Sequence, residues 1–170
     1  MKVVNIKVWQ LCLLIMSGVL LPNVVLAEET CLNGYELTAI VVLETDIKQS
    51  VESYACRMAF PQDTSTYDLY GQLRDKWKRE RMKQKQMRDN VYRRIYGDAW
   101  QTKVDEWTQT MAVSQGQSFK PTDIACQDLR KEMGAHAHDW PALYRASARE
   151  AASAKYDPLR CKAASVITIK

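Results

Sequence analysis

The stretch ELTAIVVLETDIKQSVESYACRMAF, residues 36–60, is the longest apolar-periodic run outside the N-terminal segment. Leu37, Ile40, Val41, Glu44, Ile47, Val51, Tyr54, Ala55 and Met58 recur at spacings of three and four, the period of a helix that buries one stripe. The spacing predicts a central helix around which the other segments gather. Cys31 stands just before it and Cys56 near its end, so the same region is where covalent cross-links are expected.

The compartment follows from the first residues. Lys2 and Lys7 precede an apolar core from Val8 to Leu21, then Pro22 and the small-residue ending Val25-Leu26-Ala27, the three-part layout of a secretory signal peptide. Cleavage after Ala27 is expected, leaving one domain over residues 28–170. Cys12 lies inside the apolar core behind Trp9-Gln10-Leu11, without the small residue that a lipid-modified cysteine wants before it. An uncleaved anchor is the rival, since Val8–Leu26 approaches the ~20 residues of a membrane span; Pro22, Asn23 and the small-residue site argue against it. The short basic start favours a bacterial periplasm or the medium. Four cysteines remain after cleavage, Cys31, Cys56, Cys126 and Cys161, and an even count in an exported chain reads as two disulfides.

Geometry narrows the pairing. If residues 36–56 form one helix, its ends lie about 30 Å apart at ~1.5 Å per residue. The five steps from Cys31 to Glu36 reach back at most ~18 Å, and a disulfide tolerates only about 7 Å between α-carbons. Cys31 therefore cannot meet Cys56. An up-and-down bundle brings the start of the fourth helix near Cys56, which favours Cys56–Cys126 with Cys31–Cys161; the crossed pairing, Cys31–Cys126 with Cys56–Cys161, stays open.

Along the chain, Asn33-Gly34 forms a turn before the central helix, and Pro61 ends that helix. A second helix is expected from about Thr66 to Tyr96, with Tyr70, Leu73, Trp77, Met87, Val91 and Ile95 as its stripe. Gly97 stops it, and Asp98 is read as the next N-cap. Trp100, Val104, Trp107 and Met111 mark a third helix that folds back on the second, followed by a loop over Ser114–Pro121. A fourth helix starts at Thr122 or Asp123, with Ala125, Cys126, Leu129 and Met133 inward, and ends at Gly134. Asp139 caps a fifth that runs to about Tyr156. Val166–Ile169 is a flexible end or an edge strand. The expected fold is an all-α bundle of about five helices stapled by two disulfides, with a projecting or surface basic helix.

That basic helix is the one large charge asymmetry. Between Arg74 and Arg94 stand ten Lys or Arg against three acids, a net +7, which leaves the other 122 residues of the mature chain at −5. Such segregation is either a site for an anionic partner or a solvated face that keeps the helix soluble. Arg79, Arg81, Lys83, Lys85 and Arg88 are the binding candidates, and the expected partner is an acidic protein or an anionic envelope component. Nucleic acid ranks last, because Tyr70 and Trp77 sit on the apolar stripe and not among the cations as stacking platforms would. Membrane contact is expected only through the signal segment.

Other chemistry finds little support. His136, His138 and Asp139 could begin a metal site, but no further ligands stand at fixed spacing, and neither metal nor cofactor is expected. Met58, Met87, Met111 and Met133 read as packing residues. The nucleophile elbow, the phosphate loop and the zinc-protease signature are all absent from the sequence. Glu44, on the central stripe, is the one buried carboxylate that could serve as an acid, and it reads first as a paired residue; no catalytic residue is assigned. The reading favoured is an exported interaction protein, such as an inhibitor or an envelope assembly accessory. A cell-envelope enzyme with an unrecognised site, or a small-molecule or metal carrier, is the alternative.

Overall fold

The computed structural model describes residues 30–136 and 139–161. The first 27 residues, expected as a signal peptide, His138 and the Val166–Ile169 tail lie outside the described residues. Six α-helices carry the described chain: α1 Gly34–Ala59, α2 Ser65–Lys76, α3 Lys78–Tyr96, α4 Trp100–Ser118, α5 Asp123–His136 and α6 Trp140–Ala151. Short 3₁₀ segments, Gly97–Ala99 and Ala154–Leu159, follow α3 and α6.

The central helix is the hub, for α1 packs against each of the other five. It begins on a capping box: the Asn33 side chain accepts the N–H groups of Tyr35 and Glu36, and the Glu36 carboxylate accepts the Asn33 N–H. Three otherwise orphaned donors are thereby satisfied. Every residue from Leu37 to Leu43 is buried, so this half is enclosed on all sides and not along one stripe. Leu37, Ile40 and Val41 join Leu32, Val91, Ala151 and Tyr156 in one apolar cluster.

The second half of α1 departs from the expected stripe. Tyr54 and Met58 are 56 % and 63 % exposed, while Gln49, Glu52, Ser53 and Cys56 are buried. The physical reason lies with Cys56, whose bond to Cys126 and cluster with Tyr70, Leu73, Leu129 and Met133 turn the opposite side of the helix inward. That inward side is partly polar, so hydrophobic periodicity passes over it.

Polar side chains of α1 then select its neighbours. Arg94 of α3 donates to both oxygens of Glu36, at 2.7 and 3.0 Å, and to the carbonyl of Cys31. Asp46 pairs with Arg81 of α3 and accepts from the Tyr70 hydroxyl of α2 at 3.1 Å. Gln115 of α4 donates to Glu52 at 2.6 Å, and Lys48 pairs with Glu132 of α5 at 3.5 Å. Hydrophobic contact alone would tolerate sliding of one helix along another; a buried polar pair is satisfied in one register only.

Both disulfides have the favoured connectivity, Cys31–Cys161 and Cys56–Cys126, with Cα separations of 4.8 and 5.8 Å. Cys31–Cys161 is reinforced by a single parallel bridge, in which Leu32 N–H donates to Leu159 O and Cys161 N–H to Leu32 O.

Element boundaries differ from expectation at five places, the smallest difference being that α5 runs through Gly134, its expected stop, to His136. The helix expected over 66–96 breaks at Trp77, whose φ −102° and ψ 21° leave the helical region, so that α2 packs against α5 while α3 packs against α4. Asp98 lies within the 3₁₀ turn after Gly97, which takes the positive φ of 52° open to glycine, and it does not cap α4. The expected loop at Ser114 is instead the last turn of α4, held to α1 by the Gln115–Glu52 bond against weak local helix propensity. Finally, α6 starts on the Asp139 cap as expected but stops at Ala151, where Arg160 donates to the Ala151 carbonyl and the chain turns to bring Tyr156 beneath α1.

Candidate functional site

The five cations singled out in the sequence do not act as a set. On α3, Lys78, Arg79, Met82, Lys83, Lys85, Gln86, Asn90 and Arg93 are exposed, and no carboxylate is among the exposed residues of the helix. Its two acids are held back, Glu80 and Asp89 being half-buried and paired with Arg79 at 3.8 Å and Arg88 at 2.8 Å. The outer face is thus cationic along its length, with Met82 as an exposed apolar residue within it.

Arg81 and Arg88 belong to the inner side. The Arg81 side chain is 11 % exposed, pairs with Asp46 and donates to the Tyr70 hydroxyl at 3.3 Å. Burial lowers its proton affinity to about 10, which leaves it charged at neutral pH. Arg88 donates twice to Asp89 and lies 5.8 Å over the Trp107 ring. Arg81 ties α3 to α1 and Arg88 rests against α4; Arg79, Lys83 and Lys85 are the ones presented to solvent. Lys85 is held below its ordinary value by partial burial and by Arg81 and Arg88 on either side, so a bound anion there would relieve repulsion among three cations.

Glu44 is engaged. Its carboxylate accepts from the Tyr156 hydroxyl at 2.5 Å and lies 3.7 Å from the Lys155 ammonium. Among the described residues, no group of three or more His, Cys, Asp or Glu side chains is gathered closely enough to hold a metal ion. No described helix is long and apolar enough to cross a membrane.

Sequence reading missed one enclosed space. Val42, Thr45, Asp46, Gln49, Leu73, Trp77, Arg81, Trp140 and Leu143 surround a cavity of about 30 Å³ between α1, the α2–α3 junction and α6. Among the described residues the buried Trp77 Nε1 has no hydrogen-bond partner. A cavity of this size has room for about two waters and not for a substrate. Nothing in the spacing of Trp77 and Trp140 foretold it, because the two come together only through the packing of α6, with ring centroids 6.0 Å apart. No family model matches the chain, and neither the curated proteins nor the solved structures compared with it give a match.

Proposed function

We propose that this is an exported interaction protein that presents the outer face of α3 to an acidic protein of the periplasm or the medium. The observation that carries the reading is the sorting of charge on α3: its exposed charged residues are all cations, and both of its carboxylates are drawn back. A charge run that served only solubility would need no such sorting, since interspersed signs solvate a helix equally well. Export is supported by the signal-like segment over residues 1–27 and by two disulfides, which persist in oxidising compartments. Met82 gives the face an apolar contact amid charges that steer association.

The test compares the mature protein with an Arg79→Glu, Lys83→Glu, Lys85→Glu variant, leaving Arg81 and Arg88 in place because they anchor the helix. Each is immobilised and exposed to periplasmic extract, and separately to vesicles with and without anionic lipid. The wild type should retain an acidic protein that is released by about 0.5 M salt, where screening shortens to a few ångströms, and the variant should not. Equal retention by both overturns the reading; retention of anionic vesicles in place of protein moves it to an envelope lipid.

A further inference from the structure

We propose that the groove between α3 and α4 is a saccharide-binding site that takes the pyranose rings of an oligosaccharide. The groove is lined by Tyr92 and Tyr96 of α3 and by Lys103, Glu106, Trp107 and Thr110 of α4. Its volume of about 390 Å³ is within the ~300–1,000 Å³ of small-ligand sites. Three aromatic rings and three polar side chains line it, with no aliphatic residue among them. A peptide bound through Leu, Ile or Val side chains would find no aliphatic wall here. A pyranose carries C–H faces that rest on aromatic rings and a rim of hydroxyls that needs donors and acceptors, and this lining supplies both.

The ring geometry separates a sugar from a flat base. Tyr92 is tilted 45° to Tyr96 and 55° to Trp107, at centroid distances of 5.4 and 6.4 Å. Neither Tyr96 nor Trp107 is parallel to Tyr92, so a planar heterocycle cannot stack on Tyr92 and a neighbouring ring at once, whereas a puckered ring presents C–H faces in several directions. Tyr96 is 44 % exposed, and Tyr92 and Trp107 are half-buried, packed at their inner edges against the apolar cluster that holds them still.

The polar groups are placed for hydroxyls. Lys103 Nζ lies 2.7 Å from Glu106 Oε2, an ion pair that offers a carboxylate acceptor and an ammonium donor side by side, as vicinal hydroxyls require. Among the described residues neither the Tyr92 nor the Tyr96 hydroxyl has a hydrogen-bond partner, although burial pushes the Tyr92 phenol up to about 12 and keeps it a donor throughout the physiological range. This site uses none of Arg79, Lys83 or Lys85, so it and the acidic-partner reading stand or fall separately.

The test titrates the full mature chain with cellotetraose, chitotetraose and tetragalacturonate, following tryptophan fluorescence and amide chemical shifts. At least one probe should bind with a Kd below about 1 mM. Tyr96→Ala and Lys103→Ala should each weaken it about ten-fold or more, with the helical circular dichroism unchanged, while Ile124→Ala, on α5, should bind as the wild type does. No binding of any probe at about 10 mM overturns the proposal, and so does binding that survives both groove substitutions. Shifts confined to residues outside α3 and α4 also overturn it.

Discussion

The first half of α1 and the whole of α3 are both helical, yet they are held by different forces. Leu37 to Leu43 is buried without a break, and its environment is apolar. In α3 only Gln84 and Val91 of nineteen residues are buried, and the helix is tied to α1 by two guanidiniums, Arg81 on Asp46 and Arg94 on Glu36. The difference teaches that a helix can be fixed by its ends through ion pairs, which leaves its middle free to carry whatever charge its surroundings select. Removing contacts should therefore hurt each helix in its own way.

The largest effect is expected from Leu37→Ala, at a fully buried site, which should cost about 4 kcal/mol by urea unfolding, the sum of lost transfer energy and the cavity left behind. Asp46→Ala should cost about 3 kcal/mol, because Arg81 is left charged and nearly enclosed without its carboxylate. A double variant, Asp46→Leu with Arg81→Met, should recover most of that loss. If it does not, α3 is held by packing and the comparison fails.

How much of this was legible in the sequence depends on the kind of force. The cysteine pairing could be read, because chain reach and helix rise are fixed by covalent geometry and left only one alternative to the observed bonds. Asp139 as a cap and Gly97 as a stop were legible for the same local reason. The outward turn of Tyr54 and Met58 was not, since it follows from the bond to Cys126, seventy residues away. Nor was the division of labour among the five cations: Arg81 and Arg88 look like Arg79 in sequence, and only the positions of Asp46, Asp89 and Trp107 in space separate them. The capping box is legible in the spacing of Asn33 and Glu36, where the turn formers Asn33-Gly34 alone predict a simple turn.

A smaller effect sharpens the comparison through pH, for two carboxylates of α1 shift in opposite directions. Burial keeps Glu52 above its ordinary 4.5, with Lys48 and the Gln115 hydrogen bond only partly offsetting it. The folded state then holds that proton more readily than the unfolded state, so this term removes stability as pH rises from about 4.5 through the folded value. Glu36 is also pushed up by burial, but the Arg94 and Asn33 hydrogen bonds outweigh that and hold it below 4.5. Its contribution is present above about 4.5 and is lost as pH falls through the folded value. Urea midpoints from about pH 3 to pH 8 should show Glu52→Gln gaining up to about 1 kcal/mol at neutral pH and Glu36→Gln flattening the acid limb. The reverse assignment would mean that the two sites are solvated differently from their geometry.

The smallest effect is expected where the outer face of α3 is reversed. Arg79→Glu, Lys83→Glu and Lys85→Glu together should move stability by no more than about 0.5 kcal/mol, since none of the three holds α3 to its neighbours. A larger loss would show that the outer cations share the anchoring work of Arg81 and Arg94.

The covalent closure between Cys31 and Cys161 has a mechanical consequence. The bridge joins two residues 130 positions apart in sequence and 4.8 Å apart in space, and all six helices lie within the loop that it closes. Tension on the chain from outside this loop is borne by a sulfur–sulfur bond and never reaches the helix contacts. Pulled at residues 31 and 161 while oxidised, the protein should not extend. Reduction of this bridge alone admits the load, and the next restraint is the loop of 70 positions closed by Cys56–Cys126. The thiol state of the surroundings therefore sets whether this chain behaves as a short inextensible tether or as a spring with a folded reserve.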